Sequence, residues 1–289
     1  MSEAVGVPYE KLGMYIGKNG CFSMMFDFNF SNIDVENGTF CKKRKWTYQE
    51  LIDGINKSQI EIQKVGWQAP FWENHDQPRV MSKFMGGKSD EKAKLLAGVY
   101  LFLRGTPFIY QGQELGMINA VRKSIDEFND VSARGQYNIS LGEGFTPEQA
   151  LQFCNERSRD NARTPMPWND GENAGFSEHE PWLALTETYK EINVEKQLND
   201  PKSVLNFYKA AIKIKKEYPE IFVGGKYEKI DCEKDVIGYK RVSVKGTMVV
   251  LGNFSGEEKK FPVQPKNVVL SNMEIKEKLL PYQFILYKE

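Results

Sequence analysis

Phe71-Trp72-Glu73-Asn74-His75-Asp76-Gln77-Pro78-Arg79 is the stretch on which the fold reading of this chain turns. It carries one of only two histidines in 289 residues, followed at once by a carboxylate and then by an arginine. A short apolar approach, Trp67 to Trp72, leads into it, and a long, almost wholly apolar helix begins near Glu91. Polar residues at the end of a strand-like run, with a helix after them, mark the end of an α/β barrel where chemistry sits. Taken alone, His-Asp is a weak motif, because two polar neighbours in a loop are ordinary. Its flanks give it weight.

Before this stretch, Phe22 to Phe30 alternates aromatic and polar residues and reads as a strand. Thr47-Tyr48-Gln49-Glu50 has capping-box spacing and opens a helix to about Lys64, with Leu51, Ile52, Ile55 and Ile62 facing inward. After it, Glu91 to Arg104 is apolar nearly all round, which predicts a buried helix stopped by Gly105. Thr106 to Tyr110 is a further strand. Strands and helices alternating through short connections predict parallel βα units. Regularity drops from Met117 to about Pro201, where Thr146-Pro147-Glu148-Gln149 starts a helix that runs towards Arg157. Asp200-Pro201 is expected to start a last amphipathic helix. Beyond Gly224-Gly225, the runs 227–230, 236–244, 248–254, 259–263 and 283–287 predict a small antiparallel β domain, with Val249, Leu251, Phe284 and Leu286 facing its core.

Composition narrows the function classes. Lys+Arg and Asp+Glu are both 39, and the balance argues against a nucleic-acid partner and suits an uncharged substrate. Cys21, Cys41, Cys154 and Cys232 are scattered without metal-ligand spacing, so neither a metal nor a cofactor is expected. No apolar run is long enough for a membrane span, and a cytoplasmic location is expected.

With these residues in view the chain resembles the C-terminal part of the α-glucosidases of the α-amylase superfamily, glycoside hydrolase family 13. The similar group comprises oligo-1,6-glucosidases, dextran glucosidases and trehalose-6-phosphate hydrolases. Five segments carry the likeness, in order: 3–7, 71–79, 105–117, 158–168 with 172–176, and 189–197. The resemblance implies an α/β fold: the C-terminal half (strands five to eight) of a (β/α)8 TIM barrel over residues 1–225, then an antiparallel β-sandwich domain over 226–289. It also implies retaining cleavage of α-glucosidic bonds in short oligosaccharides. By resemblance, Glu3 is the acid/base, Asp76 binds sugar hydroxyls and stabilises the transition state, and His75 donates a hydrogen bond to the same sugar. Arg79 and Arg163 are expected to line the substrate cleft, with a structural ion pair as the other reading of each.

The departures bear on activity. In the family the nucleophilic aspartate ends the fourth strand, and no residue of this chain matches it. Asp27, at the end of a neighbouring strand, is rejected as a substitute. Ser2 stands where the family has glycine, and Gln113 where many relatives carry glutamate. The expectation is a truncated or split enzyme, inactive alone, because removing one member of a catalytic unit removes most of the rate enhancement. The partners expected are the oligosaccharide and either the missing N-terminal barrel half or a second copy of the chain. A non-catalytic carbohydrate-binding or interaction module of the same fold is the alternative. Within the enzyme class, so is a trehalose-6-phosphate hydrolase.

Overall fold

The computed structural model describes residues 1–3 and 5–289; Ala4, part of the first matching segment, lies outside them. Four short strand segments run parallel, side by side. β1 (Ser2–Glu3) pairs with β2 (Met25–Phe26), and Met25 bridges to Gln68. The Trp67–Phe71 segment in turn bridges to the next through Phe71 and Phe108. The parallel βα reading therefore holds, but the strands are much shorter than the sequence suggests. Pro70 and Pro107 supply no backbone N–H, so the ladder shrinks to isolated bonds such as Thr106 N to Gln68 O (3.0 Å) and Phe108 N to Pro70 O (2.9 Å).

α1 (Tyr48–Val65) covers this sheet from outside, with Thr47 accepting from the Glu50 N–H. Only half of the expected capping box forms, because the Glu50 carboxylate pairs with Arg44 instead. Gln59 pins α1 to the strands, accepting from Arg104 N (2.7 Å) and donating to Gln68. α2 (Val80–Met85) leads to α3 (Asp90–Leu101), capped by Ser89 and buried along most of its length. α3 ends before Gly105, whose role is different. A Cβ there would lie 2.4 Å from the Gln68 carbonyl, and φ is +142°, so glycine allows the next strand to come close.

α4 (Val131–Gly142) and α5 (Pro147–Arg157) form a helical pair, and Thr146 and Gln149 make the full reciprocal capping box at the start of α5. α6 (Val194–Asn199) precedes α7 (Val204–Glu217), which is capped by Ser203 rather than begun at Asp200-Pro201. α8 (Pro219–Phe222) ends the helical part.

β3 (Lys226–Lys229), β4 (Val236–Ser243), β5 (Gly246–Asn253), β6 (Val268–Ser271) and β7 (Phe284–Lys288) form one antiparallel sheet, in the order β3-β4-β5-β7-β6. This corrects the sandwich reading in two ways. Residues 259–263 contribute only the Lys259–Leu279 bridge, and the fifth strand is β6. The sheet also buries both faces, against different neighbours. Met248, Val250, Phe284 and Leu286 point into the core shared with α1, α3 and α7. Val249, Leu251, Ile285 and Tyr287 face an outer layer that includes Phe261 and Ile275. The period-two alternation of a strand produces this division.

Candidate active site

In a parallel sheet all strands end on one side, and Glu3, Asp27 and the loop after Phe71 therefore emerge together. Glu3 is solvent-exposed at the end of β1. The strand before Asp76 lies two positions away, on the order of 10 Å at ordinary strand spacing. Asp27 is buried and fully engaged. Its carboxylate accepts from Tyr9 Oη (2.8 Å), Asn29 N (2.9 Å) and Asn29 Nδ2 (2.8 Å), which makes it a brace for the β2 loop.

Asp76 is held in the open by its own loop. The Asn74 side-chain oxygen accepts from Asp76 N (2.8 Å) and turns the chain so that the carboxylate stays exposed. Arg163 Nη2 donates to Asp76 Oδ1 (3.0 Å), and Arg163 Nε donates to the His75 carbonyl (3.0 Å). His75 Nε2 lies 3.4 Å from Asp76 Oδ2. Arg159 Nη1 is a further 3.6 Å neighbour that the sequence reading missed, although it sits in the same matching segment as Arg163. Arg159 also makes two bonds to Asp130 Oδ1, at 3.0 and 2.6 Å. Burial works to raise the Asp130 carboxyl, but the hydrogen bonds from Arg159 outweigh it and hold it below its usual value. Asp130 thereby anchors Arg159, and Arg159 in turn faces Asp76.

Arg79 does not line the cleft. It is fully buried, and its guanidinium bonds Glu73 Oε2 (3.0 Å) and the carbonyls of Gln111 (2.6 Å), Asn161 (3.3 Å) and Ala162 (3.3 Å). Glu73 also accepts from Val80 N (2.8 Å). Its burial pushes the carboxyl pKa up, and the Arg79 charge opposes that rise. A guanidinium is a planar fork with five donors, and that geometry lets one side chain reach several loops at once. From below, Arg79 ties together the Asp76 loop, the loop after Phe108 and the 158–168 loop. It thus sets where Arg159 and Arg163 stand, without itself reaching the surface.

The assembly offers an exposed carboxylate, two guanidinium donors and an imidazole, which suit hydroxyl groups of an uncharged ligand. Among the described residues, no group of three or more His, Cys, Asp or Glu side chains is placed to hold a metal ion. Nor is any helix there long and apolar enough to cross a membrane.

Residues 1–225 match the model of the α-amylase catalytic domain. The chain belongs to the α-amylase family. Over 95% of its length it is 38% identical to "Probable oligo-1,6-glucosidase 3" of Bacillus subtilis (strain 168), and it covers 50% of that protein. The trehalose-6-phosphate hydrolase of the same organism is 33% identical over 92% of the chain, again with 50% of the relative covered. Solved structures agree. A Bacillus licheniformis trehalose-6-phosphate hydrolase superposes with a TM-score of 0.88 at 32% identity, covering 99% of this chain and 55% of that one. An isomaltulose synthase from Klebsiella sp. LX3 gives 0.91 at 30%, with the same coverage. The chain spans about half the length of the curated relatives it matches.

Proposed function

We propose that this chain supplies the acid/base and sugar-binding half of a retaining α-glucosidase site, acting on short isomalto- or malto-oligosaccharides. The observation that supports this most directly is the Asp76 cluster. An exposed carboxylate flanked by His75, Arg159 and Arg163 stands on the catalytic side of an α-amylase-family sheet. In this reading Glu3 protonates the leaving oxygen and later deprotonates water, while Asp76 accepts from sugar hydroxyls and offsets charge as the ring approaches an oxocarbenium ion. Arg163, 28% exposed, helps to hold the sugar, and Arg79 acts only as a support.

The nucleophile has no assignment within residues 1–289, so the reading includes a partner. The partner is a polypeptide segment that supplies the other strands of the barrel. Among the described residues neither outer strand segment pairs on its far side, and exposed apolar side chains follow each: Val5 (71%) after β1, and Ile109 (37%) after Phe108. The inner face is partly closed by aromatic rings. Phe26, Phe28, Phe71 and Phe108 close on one another with ring centroids 4.9–6.4 Å apart. A complementing half would build on this aromatic floor.

The test is reconstitution. The chain is mixed or co-expressed with the N-terminal half of the similar Bacillus subtilis protein, and hydrolysis of p-nitrophenyl α-glucoside and isomaltose is followed. Activity is expected only with both halves present, and Glu3→Gln should abolish it. A complex that forms but turns over no α-glucoside would favour the non-catalytic module. Turnover confined to trehalose 6-phosphate would favour that hydrolase class.

A further inference from the structure

The chain contains two Asn-Gly steps, Asn19-Gly20 and Asn37-Gly38, and two Asp-Gly steps, Asp53-Gly54 and Asp170-Gly171. Such steps share one latent reaction, because glycine has no side chain to shield its amide nitrogen from the carbonyl carbon of the side chain before it. The fold restrains three of the four. The Gly54 N–H is spent inside α1. Gly171 N donates to Asn169 Oδ1 (3.0 Å), and the Asp170 carboxylate is paired with Lys196 (3.1 Å). Gly20 N donates to the Gly17 carbonyl (3.2 Å). A Cβ on Gly20 would also lie 2.4–2.6 Å from backbone atoms of Tyr15 and Ile16, so this step is wedged against packed chain.

Asn37-Gly38 has none of these restraints. It forms the tip of the hairpin closed by the Val35–Lys43 bridge, with Asn37 exposed and both residues left-handed, at φ +49° and +72°. Asn-Gly with positive φ at both central positions marks a type I′ turn. Among the described residues, neither the Gly38 N–H nor the Asn37 side chain has a hydrogen-bond partner. Beyond its chain neighbours, no heavy atom lies within 4 Å of where a Gly38 Cβ would stand. One bond spans the turn, Thr39 N to Glu36 O (3.0 Å). Once it opens, Asn37 can rotate about ψ until Gly38 N faces the side-chain carbon.

We propose that Asn37 is a site of spontaneous deamidation, the Asn-Gly step that the folded chain leaves reactive. Gly38 N gives its proton to solvent and attacks Asn37 Cγ; the new N–C bond closes an imide ring, and ammonia leaves. Water then opens the ring at either of its N-acyl bonds. The product is an aspartate, or an isoaspartate in which the backbone runs through the former side chain. One water is consumed and one ammonia is released, with no change of oxidation state. Either product places a new carboxylate beside Glu36, and isoaspartate also adds a methylene to the turn. The hairpin straps the loop after β2 to α4 and α5: Phe40 N donates to Gln136 Oε1 (3.1 Å), and Lys43 meets Glu156 (2.7 Å). Isoaspartate at the tip spoils the turn that aims Phe40, and the strap loosens. The inference does not depend on the proposed hydrolysis.

The full chain is held in mildly alkaline buffer and digested, and its tryptic peptide 19–42 is sequenced by fragment-ion mass spectrometry. Labelling by isoaspartyl methyltransferase separates the two products. In the folded chain, conversion at Asn37 is expected at least about tenfold faster than at Asn19, where Gly20 must first release its hydrogen bond. In guanidinium only the local sequence remains, and the two rates should converge to within about threefold. Asn37→Gln should remove the fast conversion, and Asn19→Gln should leave it. Amide hydrogen exchange at Phe40 should be at least about fivefold faster in the isoaspartate form. Three results would overturn the proposal: Asn19 converting as fast as Asn37 in the folded chain; no conversion at Asn37 over a period in which the denatured chain converts; or identical Phe40 exchange in the two forms.

Discussion

Arg79 and Arg163 look alike in the sequence, each an arginine inside a polar motif, yet one is fully buried and the other lies beside Asp76 at the surface. What separates them is the number of carbonyls converging below the site, which only the folded loops reveal. Burial dictates a test. Arg79→Met leaves Glu73 as an uncompensated carboxyl in the interior, and about 3–5 kcal/mol of stability should be lost in urea unfolding. The double change Glu73→Leu/Arg79→Met should lose less than Arg79→Met alone, because no buried charge is left unpaired. A double variant as unstable as the sum of its parts would contradict the buried-pair account. The adjacency of His75 and Asp76 is plain in their motif. The place of Arg159 beside Asp76 is not, because Asp130 holds its guanidinium there, and no local pattern shows that Asp130 folds beneath it.

Helices were more legible than strands, for a physical reason. A helix is announced by a periodic apolar face and a cap within a few residues, and the box at Thr146 and Gln149 forms as the spacing predicts. Thr146→Ala should therefore cost about 1 kcal/mol, read as a lower denaturation midpoint at unchanged slope. Before α7 the cap is Ser203, next to the apolar stripe, and not the expected Asp200-Pro201. The barrel strands depend on partners far away in sequence, and prolines cut their ladders to isolated bridges. Packing can also override propensity, and Gly98 in α3 measures this. Alanine is the better helix former by about 1 kcal/mol, but its Cβ would lie 2.4–2.5 Å from the Phe284 ring. Overpacking of that kind costs about 1–3 kcal/mol. Gly98→Ala is expected to lower the melting temperature; an increase would show that Phe284 moves aside freely.

At the scale of the whole molecule, the helical part and the terminal sheet share one core. Arg241 of β4, fully buried, donates to the carbonyls of Phe102 (2.9 Å), Phe222 (2.9 Å) and Gly225 (2.8 Å) and clamps the sheet to the end of α3. Lys215 does the same from α7, donating to Leu101 O (2.6 Å) and Leu103 O (3.2 Å). Burial pushes the Lys215 ammonium down to about 7, and the charge of Arg241 adds to the shift. Lys83 also falls to about 7, through burial first, with Asp34 pulling it up and Arg157 pushing it down. In the unfolded chain a lysine keeps its proton to about pH 10.4. Between roughly pH 7 and 8 the unfolded chain thus binds more protons than the folded one, and stability rises with pH across that window; above it Cys154 and Cys232, whose thiols burial keeps protonated in the fold, act in the opposite sense. Below pH 7 both states are protonated and the whole penalty is present. The melting temperature should be higher at pH 8 than at pH 7, and Lys215→Met should roughly halve the rise. A flat or falling wild-type profile would rule this out. The shared core also has a consequence for biosynthesis. The Tyr239 hydroxyl that closes on the Val99 carbonyl of α3 lies 140 residues further along the chain. At a ribosomal pace of about 5–20 residues per second, α3 waits roughly 7–28 s for its cover. During that interval the apolar second half of α3, Leu95 to Leu101, is open to any nascent-chain chaperone at the exit tunnel.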